Sequence, residues 1–350
     1  MPTKKLRIDA WGRFYQDGKK FQKGSSKKSW TLLLGSGIHQ ALFKDSIDTP
    51  KQKQALEVLG SWDNFLKELF CSSETYFHFK DSPSLQWEMH AIEGGGQKMK
   101  NEMARDKERQ LHKRAKHMLS EAQDVLYSGA IHSKNYGNIS KLIASPSVSD
   151  IVSLNLDLGI EEILRKVEFT KKKCQPNENK NPNIKIGRYS HFIYKSDDED
   201  EIKKHIWYPH GNIKNSASMV FGVRQYSLSL SLVESMRKRF KAGECQNEKN
   251  LALVGWAGLF FDRPLLIAGA SLSHSEWDIW LALTSRWRNY SKEKNKRHQP
   301  PVYFLTTPQH HKTLVNMPEF NFWRLEAPDY SIGWKWLSEG LYPTAEKLGK

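Results

Sequence analysis

Short apolar runs punctuate this chain, and each stops at small or polar residues. Trp30 to Leu34 (WTLLL) halts at Gly35-Ser36-Gly37. A run of that length ending in glycines predicts a buried strand entering a tight turn. The segment from Gly37 to Leu42 then begins a helix. Asp150 to Leu158 (DIVSLNLDL) is the second strand-like run, with a helix over 161–167 after it. Lys204 to Tyr208 predicts a short strand ending at Pro209-His210-Gly211. Met219 to Val223 is another apolar run, followed by a helix over 226–240. Pro264 to Ala268 (PLLIA) predicts a buried strand closed by Gly269-Ala270-Ser271. A Trp-rich helix over 277–290, a strand over 301–305, a further strand over 322–325 and a closing helix over 333–337 complete the series.

Between the first helix and the second strand the pattern changes to a helical one. Leu56, Leu59, Trp62, Phe65, Leu66 and Leu69 recur at helical spacing. Lys98 to Tyr127 is charged and free of Pro and Gly, which predicts one long amphipathic helix burying Met103, Leu111, Ala115, Met118 and Leu119. Glu93-Gly94-Gly95-Gly96 is a break ahead of it. Residues 1–28 read as a polar, basic lead-in, and 171–183 and 196–201 as polar loops. Apolar strands alternating with helices predict an α/β fold: a Rossmann-like parallel sheet flanked by helices. It occupies 29–350 as one domain, with a helical insertion over about 50–145 that is large enough to form a lid. In such sheets ligands bind beyond the carboxyl ends of the strands. Gly35-Ser36-Gly37, Asn155 with Asp157, His210-Gly211 and Gly269 to Ser271 all fall at predicted strand ends and suggest one shared site.

Composition narrows the picture. Of 350 residues, 38% are hydrophobic and 12 are Trp, which excludes a wholly disordered chain. No apolar run reaches the length of a membrane-spanning helix. The basic N-terminal stretch lacks the apolar core of a secretory signal. Three widely spaced cysteines, Cys71, Cys174 and Cys245, argue against a disulfide scaffold and fit a reducing cytosol. With no CxxC pair they supply no cysteine zinc site. The formal charge is +15, with much of the excess in runs such as Lys171-Lys172-Lys173. Such runs read as solvated faces, although a nucleic acid, a nucleotide or an acidic protein would also be drawn to the field.

Each strand-end motif has a chemical and a structural reading. Gly35-Ser36-Gly37 lets a backbone approach a pyrophosphate at a helix start, or is simply a tight turn. A full GxGxxG is absent because Gln40 stands at the third position. Alternation places Asn155 and Asp157 on one side of a strand end; alternatively Asp157 caps the helix that carries Glu161. His210, beside a glycine, suits a general base near neutral pH. His39, His274 and the pair His310-His311 are the other histidine candidates, each with surface placement as the expectation. Gly269 to Ser273 can present hydroxyls and N–H groups to a ribose or phosphate, or make a turn with Ser273 or Ser275 as a cap. Neither HExxH nor GxSxG occurs.

In order, these four motifs resemble the sirtuin-like NAD-hydrolase domains of bacterial anti-phage defence proteins. LLLGSGIHQ stands where that family has a strand and a Gly-Ala-Gly turn. SLNLDLGIE stands at its Thr-x-Asn-Tyr-Asp strand end, IWYPHGNI at its His-Gly strand end, and IAGASLSHSEWD at its glycine-serine-leucine turn with a following Asp. The likeness spans about residues 29–330. It implies that Gly35, Ser36 and Gly37 hold NAD phosphates, that Gly211 belongs to the nucleotide site, and that Gly269 and Ser271 meet the adenosine side. It implies that Asn155 orients the ribose and the attacking water, Asp157 supports that loop or the ribose, and His210 is the general base. NAD is then the substrate, no metal takes part, and the products are nicotinamide and ADP-ribose. Leu156, Ser153 and Ser36 depart from the family's usual Tyr, Thr and Ala. The four-cysteine zinc module of deacetylating sirtuins is missing.

A free-standing NAD hydrolase is toxic, so the resemblance also implies restraint by homo-oligomerisation or by a partner such as a HerA-type ATPase or an Argonaute-like protein, in the cytoplasm, with nucleic acid engaged through the partner and no membrane. Two other readings stay open: a non-catalytic module that binds NAD or ADP-ribose and signals by assembly, and a basic nucleic-acid-binding protein with a degenerate nucleotide fold.

Overall fold

Trp30 to Leu34 is buried at every position. In the computed structural model, Leu33 joins one hydrophobic core while Trp30, Leu32 and Leu34 join another. Alternate side chains of a strand point to opposite faces, and both faces here are covered, so the run is apolar throughout rather than alternating. The structure describes residues 3–22, 29–70, 83–92, 101–129, 131–172, 190–196, 202–241, 251–272, 276–291, 299–309 and 316–341.

Eight strands form one sheet: β1 (Trp30–Leu34), β2 (Val148–Ser153), β3 (Phe169–Lys172), β4 (Ser190–Ser196), β5 (Lys203–Tyr208), β6 (Leu265–Ala268), β7 (Val302–Thr306) and β8 (Phe322–Glu326). Their spatial order is β3-β4-β5-β2-β1-β6-β7-β8. From β5 to β8 every neighbouring pair is parallel. β4 pairs antiparallel with both β5 and β3. The register is close to level across the centre: Leu34 lies opposite Ser153 and Ala268, and Val152 opposite Trp207. The chain therefore leaves β1, β2, β5 and β6 along one edge, which is what gathers the site.

The helices are α1 (Thr3–Gln22), α2 (Gly37–Phe43), α3 (Pro50–Gly60), α4 (Trp62–Leu69), α5 (Pro83–Ile92), α6 (Asn101–Tyr127), α7 (Tyr136–Ala144), α8 (Gly159–Lys166), α9 (Val223–Lys241), α10 (Leu251–Asp262), α11 (Trp277–Tyr290) and α12 (Tyr330–Leu341). On one face Val233, Trp256, Phe260, Ile279 and Leu283 of α9, α10 and α11 pack on Leu33, Val152, Ile267 and Phe304. On the other, Leu42, Ile143, Ile163 and Leu337 of α2, α7, α8 and α12 pack on Leu32, Ile151 and Leu266. The fold is thus α/β and Rossmann-like, with α3 to α7 inserted between α2 and β2. Among the described residues no helix is long and apolar enough to cross a membrane.

Several expectations change. Residues 3–22 are a helix, not a lead-in. Phe14 is fully buried among Trp30, Tyr303 and Trp11, with ring centroids 5.7, 5.2 and 5.8 Å away. The helical run over 56–69 is broken at Gly60. Ser61 then caps α4 by accepting from the Asn64 N–H at 3.4 Å. The second strand ends at Ser153, so 154–158 lies beyond the sheet. Met219 to Val223 forms no strand; its backbone bends, and Phe221 stacks on Trp87 at 4.1 Å. β3 and β4 were not expected, since β4 lies between polar segments. β3 occupies the start of the run read as a polar loop, whose remainder, like 197–201, the glycines at 94–96 and the side chain of Met103, lies outside the described residues. α10 escaped the pattern because Leu251 to Phe261 is apolar all round, with no polar face to reveal a period.

Phe14 tests the first correction. Phe14→Ala is expected to destabilise the protein by about 3–4 kcal/mol in urea unfolding, as for a large core aromatic; a detachable lead-in would change stability by less than about 0.5 kcal/mol.

Candidate functional site

β1 is where the strand order reverses. The chain runs from β1 to β2 and β5 on one side, then returns to β6, β7 and β8 on the other. Such a switch point opens a crevice between the loops that leave the two strands flanking it. Here those loops are Gly35-Ser36-Gly37 after β1 and Gly269-Ala270-Ser271 after β6.

The two loops touch backbone to backbone. The Gly37 N–H donates to the Gly269 carbonyl at 2.7 Å, and the Gly35 N–H to the Ala268 carbonyl at 3.3 Å. A Cβ on Gly35 would lie 2.7 Å from the Ala270 Cα, and one on Gly37 2.8 Å from the Gly269 Cα. Gly269 itself has φ +64°, a conformation that side chains resist. The glycines are therefore explained first by this close approach. The N–H groups of Gly35 and Gly37 are occupied by it, so anion contacts at this edge fall to side chains around them.

Those side chains line a cleft of about 560 Å³, within the range of nucleotide-sized pockets. Ser36, Gly37, Gly269 and Ser271 form its inner edge. Lys44, Lys134, Tyr330 and Ser331 lie further out. Neither Asn155 nor His210 lines it. Asn155 follows β2, and its Nδ2 donates to the Gly35 carbonyl at 3.3 Å. It opens on a separate small cavity of about 40 Å³ with Ser36 and Asp157, roofed by Ser61, Trp62 and Phe65 of the inserted helices. Ser36 faces both spaces.

Two buried His–Asp pairs flank this centre, one towards each helical layer. On the α2 side, His39 Nε2 lies 3.2 Å from Asp157 Oδ1, and both side chains are buried. Asp157 also accepts the Gly159 N–H at 2.7 Å. Burial works against its charge, but His39 and these hydrogen bonds outweigh it and hold the carboxyl below its ordinary pKa. The capping and site readings of Asp157 are thus compatible. His39, expected at the surface, is fully buried: its position on the first turn of α2 turns it inward under Tyr127, 6.2 Å away.

On the opposite side, His210 Nε2 lies 3.1 and 3.3 Å from the oxygens of Asp278, at the start of α11. Asp278 also accepts from Ser229 Oγ at 3.0 Å and from the Ile279 N–H at 2.9 Å. Burial disfavours a charged His210 ring, yet Asp278, helped by Glu276 and the Leu154 backbone, raises its pKa above the ordinary value. Burial likewise opposes charge on Asp278, and His210 with the other donors lowers its pKa. Gly211 makes the turn after β5, donating its N–H to the Tyr208 carbonyl at 3.0 Å. Glu276 completes the cluster. Burial first, and Asp278 next, push its carboxyl up to about 7, against the pull of His210. Tyr226 packs edge-on to His210 at 5.3 Å.

All four sequence motifs thus meet at one edge of the sheet, but in three places. Ser36, Gly37, Gly269 and Ser271 share the cleft, and Gly35 lies in the loop contact beside it. Asn155 and Asp157 share the small cavity, and His210 with Gly211 sits beside Leu154 on the far layer. Sequence reasoning gave no weight to Glu276, Ser229 or Tyr226, and Asp278 entered only as the Asp after the last turn. The available signal was two carboxylates, Glu276 and Asp278, opening a helix just past a glycine turn. His274 and His310-His311 lie outside the described residues. Among the described residues no group of three His, Cys, Asp or Glu side chains is placed to hold a metal ion. Compared with known proteins, the chain matches no family model and no curated sequence.

Two measurements follow from this geometry. Gly269→Ala is expected to cost about 1–3 kcal/mol of unfolding free energy, since its φ is positive and the added Cβ meets the Ile38 nitrogen at 2.9 Å. Gly137→Ala, with open space around it on α7, is expected to be neutral or slightly stabilising. Asp157→Asn tests the α2-side pair by its pH dependence. A lowered native pKa stabilises the fold above the ordinary value, 3.8, and that stability is lost as pH falls through the lowered one. The gap between wild type and variant in urea unfolding is therefore expected to be constant from pH 5 to 7 and to shrink below about pH 4.

Proposed function

We propose that the chain is an NAD hydrolase that cleaves the nicotinamide–ribose bond to give nicotinamide and ADP-ribose. The observation that carries the reading is the meeting of two glycine loops at a topological switch point, lining a nucleotide-sized cleft. Asn155 and a buried His–Asp pair stand at the neighbouring strand ends. In this reading the cleft takes the dinucleotide, with Ser36 and Ser271 beside the phosphates and adenosine ribose; Lys44 and Lys134 share its lining with Asp45 and Asp329, and Lys134 is ion-paired to Asp45 at 3.3 Å. Asn155 directs its amide to the nicotinamide ribose and the attacking water, next to Ser36. The carboxylate of Asp157, which lines the same small cavity as Asn155, favours positive charge at the anomeric carbon as the leaving group departs. The role of effector in an anti-phage system, held in check by self-assembly or by a partner ATPase or Argonaute-like protein, rests on the motif resemblance.

One observation favours a second reading, a module that binds NAD or ADP-ribose without turning it over. Asn155 is only 9% exposed and His210 2%, and neither faces the cleft. For catalysis the roof of Ser61, Trp62 and Phe65 has to shift. NAD consumption with products resolved by mass separates the two. Wild type is expected to release nicotinamide and ADP-ribose. Asn155→Ala is expected to reduce the rate by about 10²–10³-fold while costing only about 1 kcal/mol of stability, because its bond to Gly35 is long. NAD binding without product would instead establish the binding module.

A further inference from the structure

The hydrolase reading, on which this inference rests, places Asn155 and Asp157 in one small cavity, with Ser36 at its edge. Asn155 is anchored there by its bond to the Gly35 carbonyl. Asp157 lies in the 154–158 segment beyond the end of β2, and its side chain needs an anchor of its own. It needs a counter-charge as well, because a buried carboxylate without one takes up a proton.

His39 meets both needs. Its ring is fully buried and stands between the loops that leave β1 and β2. Nδ1 lies 3.2 Å from the Ser36 carbonyl oxygen. Nε2 lies 3.2 Å from Asp157 Oδ1, an ion-pair contact without the alignment of a hydrogen bond. Both neighbours are acceptors. A neutral imidazole carries one N–H and one lone pair, so either tautomer turns a lone pair on an oxygen, whereas the doubly protonated ring meets both. The Ser36 end is fixed: its carbonyl also takes the His39 backbone N–H at 3.0 Å, and the neighbouring Gly37 N–H is held by Gly269. The Asp157 end is the one the ring directs. His39 and the Gly159 N–H both address Oδ1, which leaves Oδ2 for the cavity that Asp157 lines. Tyr127 of α6 is the other titratable group against the pair. Burial first, and Asp157 next, raise its pKa, so it stays a neutral phenol and does not compete for the imidazolium.

We propose that His39 is a positioning residue of the hydrolysis: held as an imidazolium on the Ser36 carbonyl, it keeps Asp157 ionised and turned to the cavity it shares with Asn155. His39 touches no reacting atom and moves no proton. It lines neither the cleft nor the small cavity, so it acts on kcat through Asp157 and leaves NAD binding in the cleft nearly unchanged. A displacement of about 1 Å at a reacting centre is enough to cost about 10²-fold in rate.

The test compares wild type, His39→Leu, His39→Gln, Asp157→Asn and the double variants that join each His39 change to Asp157→Asn. NAD turnover with both products quantified, NAD affinity by calorimetry and urea unfolding are measured for each. Nitrogen NMR of the histidine rings is recorded for wild type and His39→Gln under the assay conditions. The ring signal absent from His39→Gln is expected to show two protonated nitrogens. His39→Leu and Asp157→Asn are each expected to lower kcat by about 10²-fold, with NAD Kd within about threefold. His39→Gln, whose amide can donate to one of the two oxygens, is expected to recover about tenfold of that loss. Each double variant is expected to lie within about threefold of its slower single, because His39 has nothing left to act on once Asp157 carries no charge. A role in packing alone predicts losses that multiply and that follow the unfolding free energy, with Gln no better than Leu. Should His39→Leu fail to fold, the cycle with His39→Gln carries the same comparison. Wild-type kcat in the His39 variants, losses that multiply, or a ring with one bare nitrogen would each overturn the inference while the hydrolase stands. If wild type binds NAD without turnover, or fails to bind it, the hydrolase reading falls and the inference with it.

Discussion

The contact between the loops after β1 and β6 is the constraint around which the functional edge is organised. Parallel strands in register deliver both loops to the same level, and there the backbones meet with no side chain between them. The Gly37 N–H to Gly269 carbonyl bond fixes their separation. That separation sets the inner wall of the cleft, the start of α2 and, through the Gly35 carbonyl, the amide of Asn155. A Cβ at any of the three glycines wedges the loops apart and moves all of these together.

Charge is buried on both sides of this seam, and in each case a histidine and a carboxylate share it. An isolated buried charge is costly, and paired charges recover part of that cost only with good geometry and further hydrogen bonds. Asp157 and Asp278 have such bonds, from Gly159 and from Ser229 and Ile279. Other buried charges are structural. Arg286 donates to the carbonyls of Phe260 and Arg263 at the end of α10, and the ammonium of Lys204 to those of Ser145 and Val148.

Much of this arrangement was legible in the residues. The doubly buried central strands announce themselves as apolar runs, and glycines mark where they stop. The four strand ends could thus be found, and the parallel sheet inferred, from local pattern alone. What the pattern could not supply was pairing across the fold. His39 reads as a surface residue until α2 is seen to turn it towards Asp157. The partner of His210 lies 68 positions away on another helix, and no spacing rule connects them. The β3–β4 pair escaped because short strands between polar segments carry too few apolar positions to show a period. α1 was missed for a related reason: its apolar side, Trp11 and Phe14, is narrow within a lysine-rich stretch.

Among the described residues α1 interlocks with α12. Trp11 meets Trp336 at 5.0 Å, its indole N–H donates to the Glu326 carbonyl, and Gly340 leaves room for Phe14. Contacts between residues more than 300 positions apart exact a loop-closure entropy and slow folding. During synthesis α1 emerges before β8 and α12 and cannot dock on them until they have followed it. The sheet face around Trp30 and Tyr303 stays unsealed over that interval. The fold closes like a clasp, so a nascent or truncated chain lacking α12 exposes aromatic surface and is marked for aggregation or degradation.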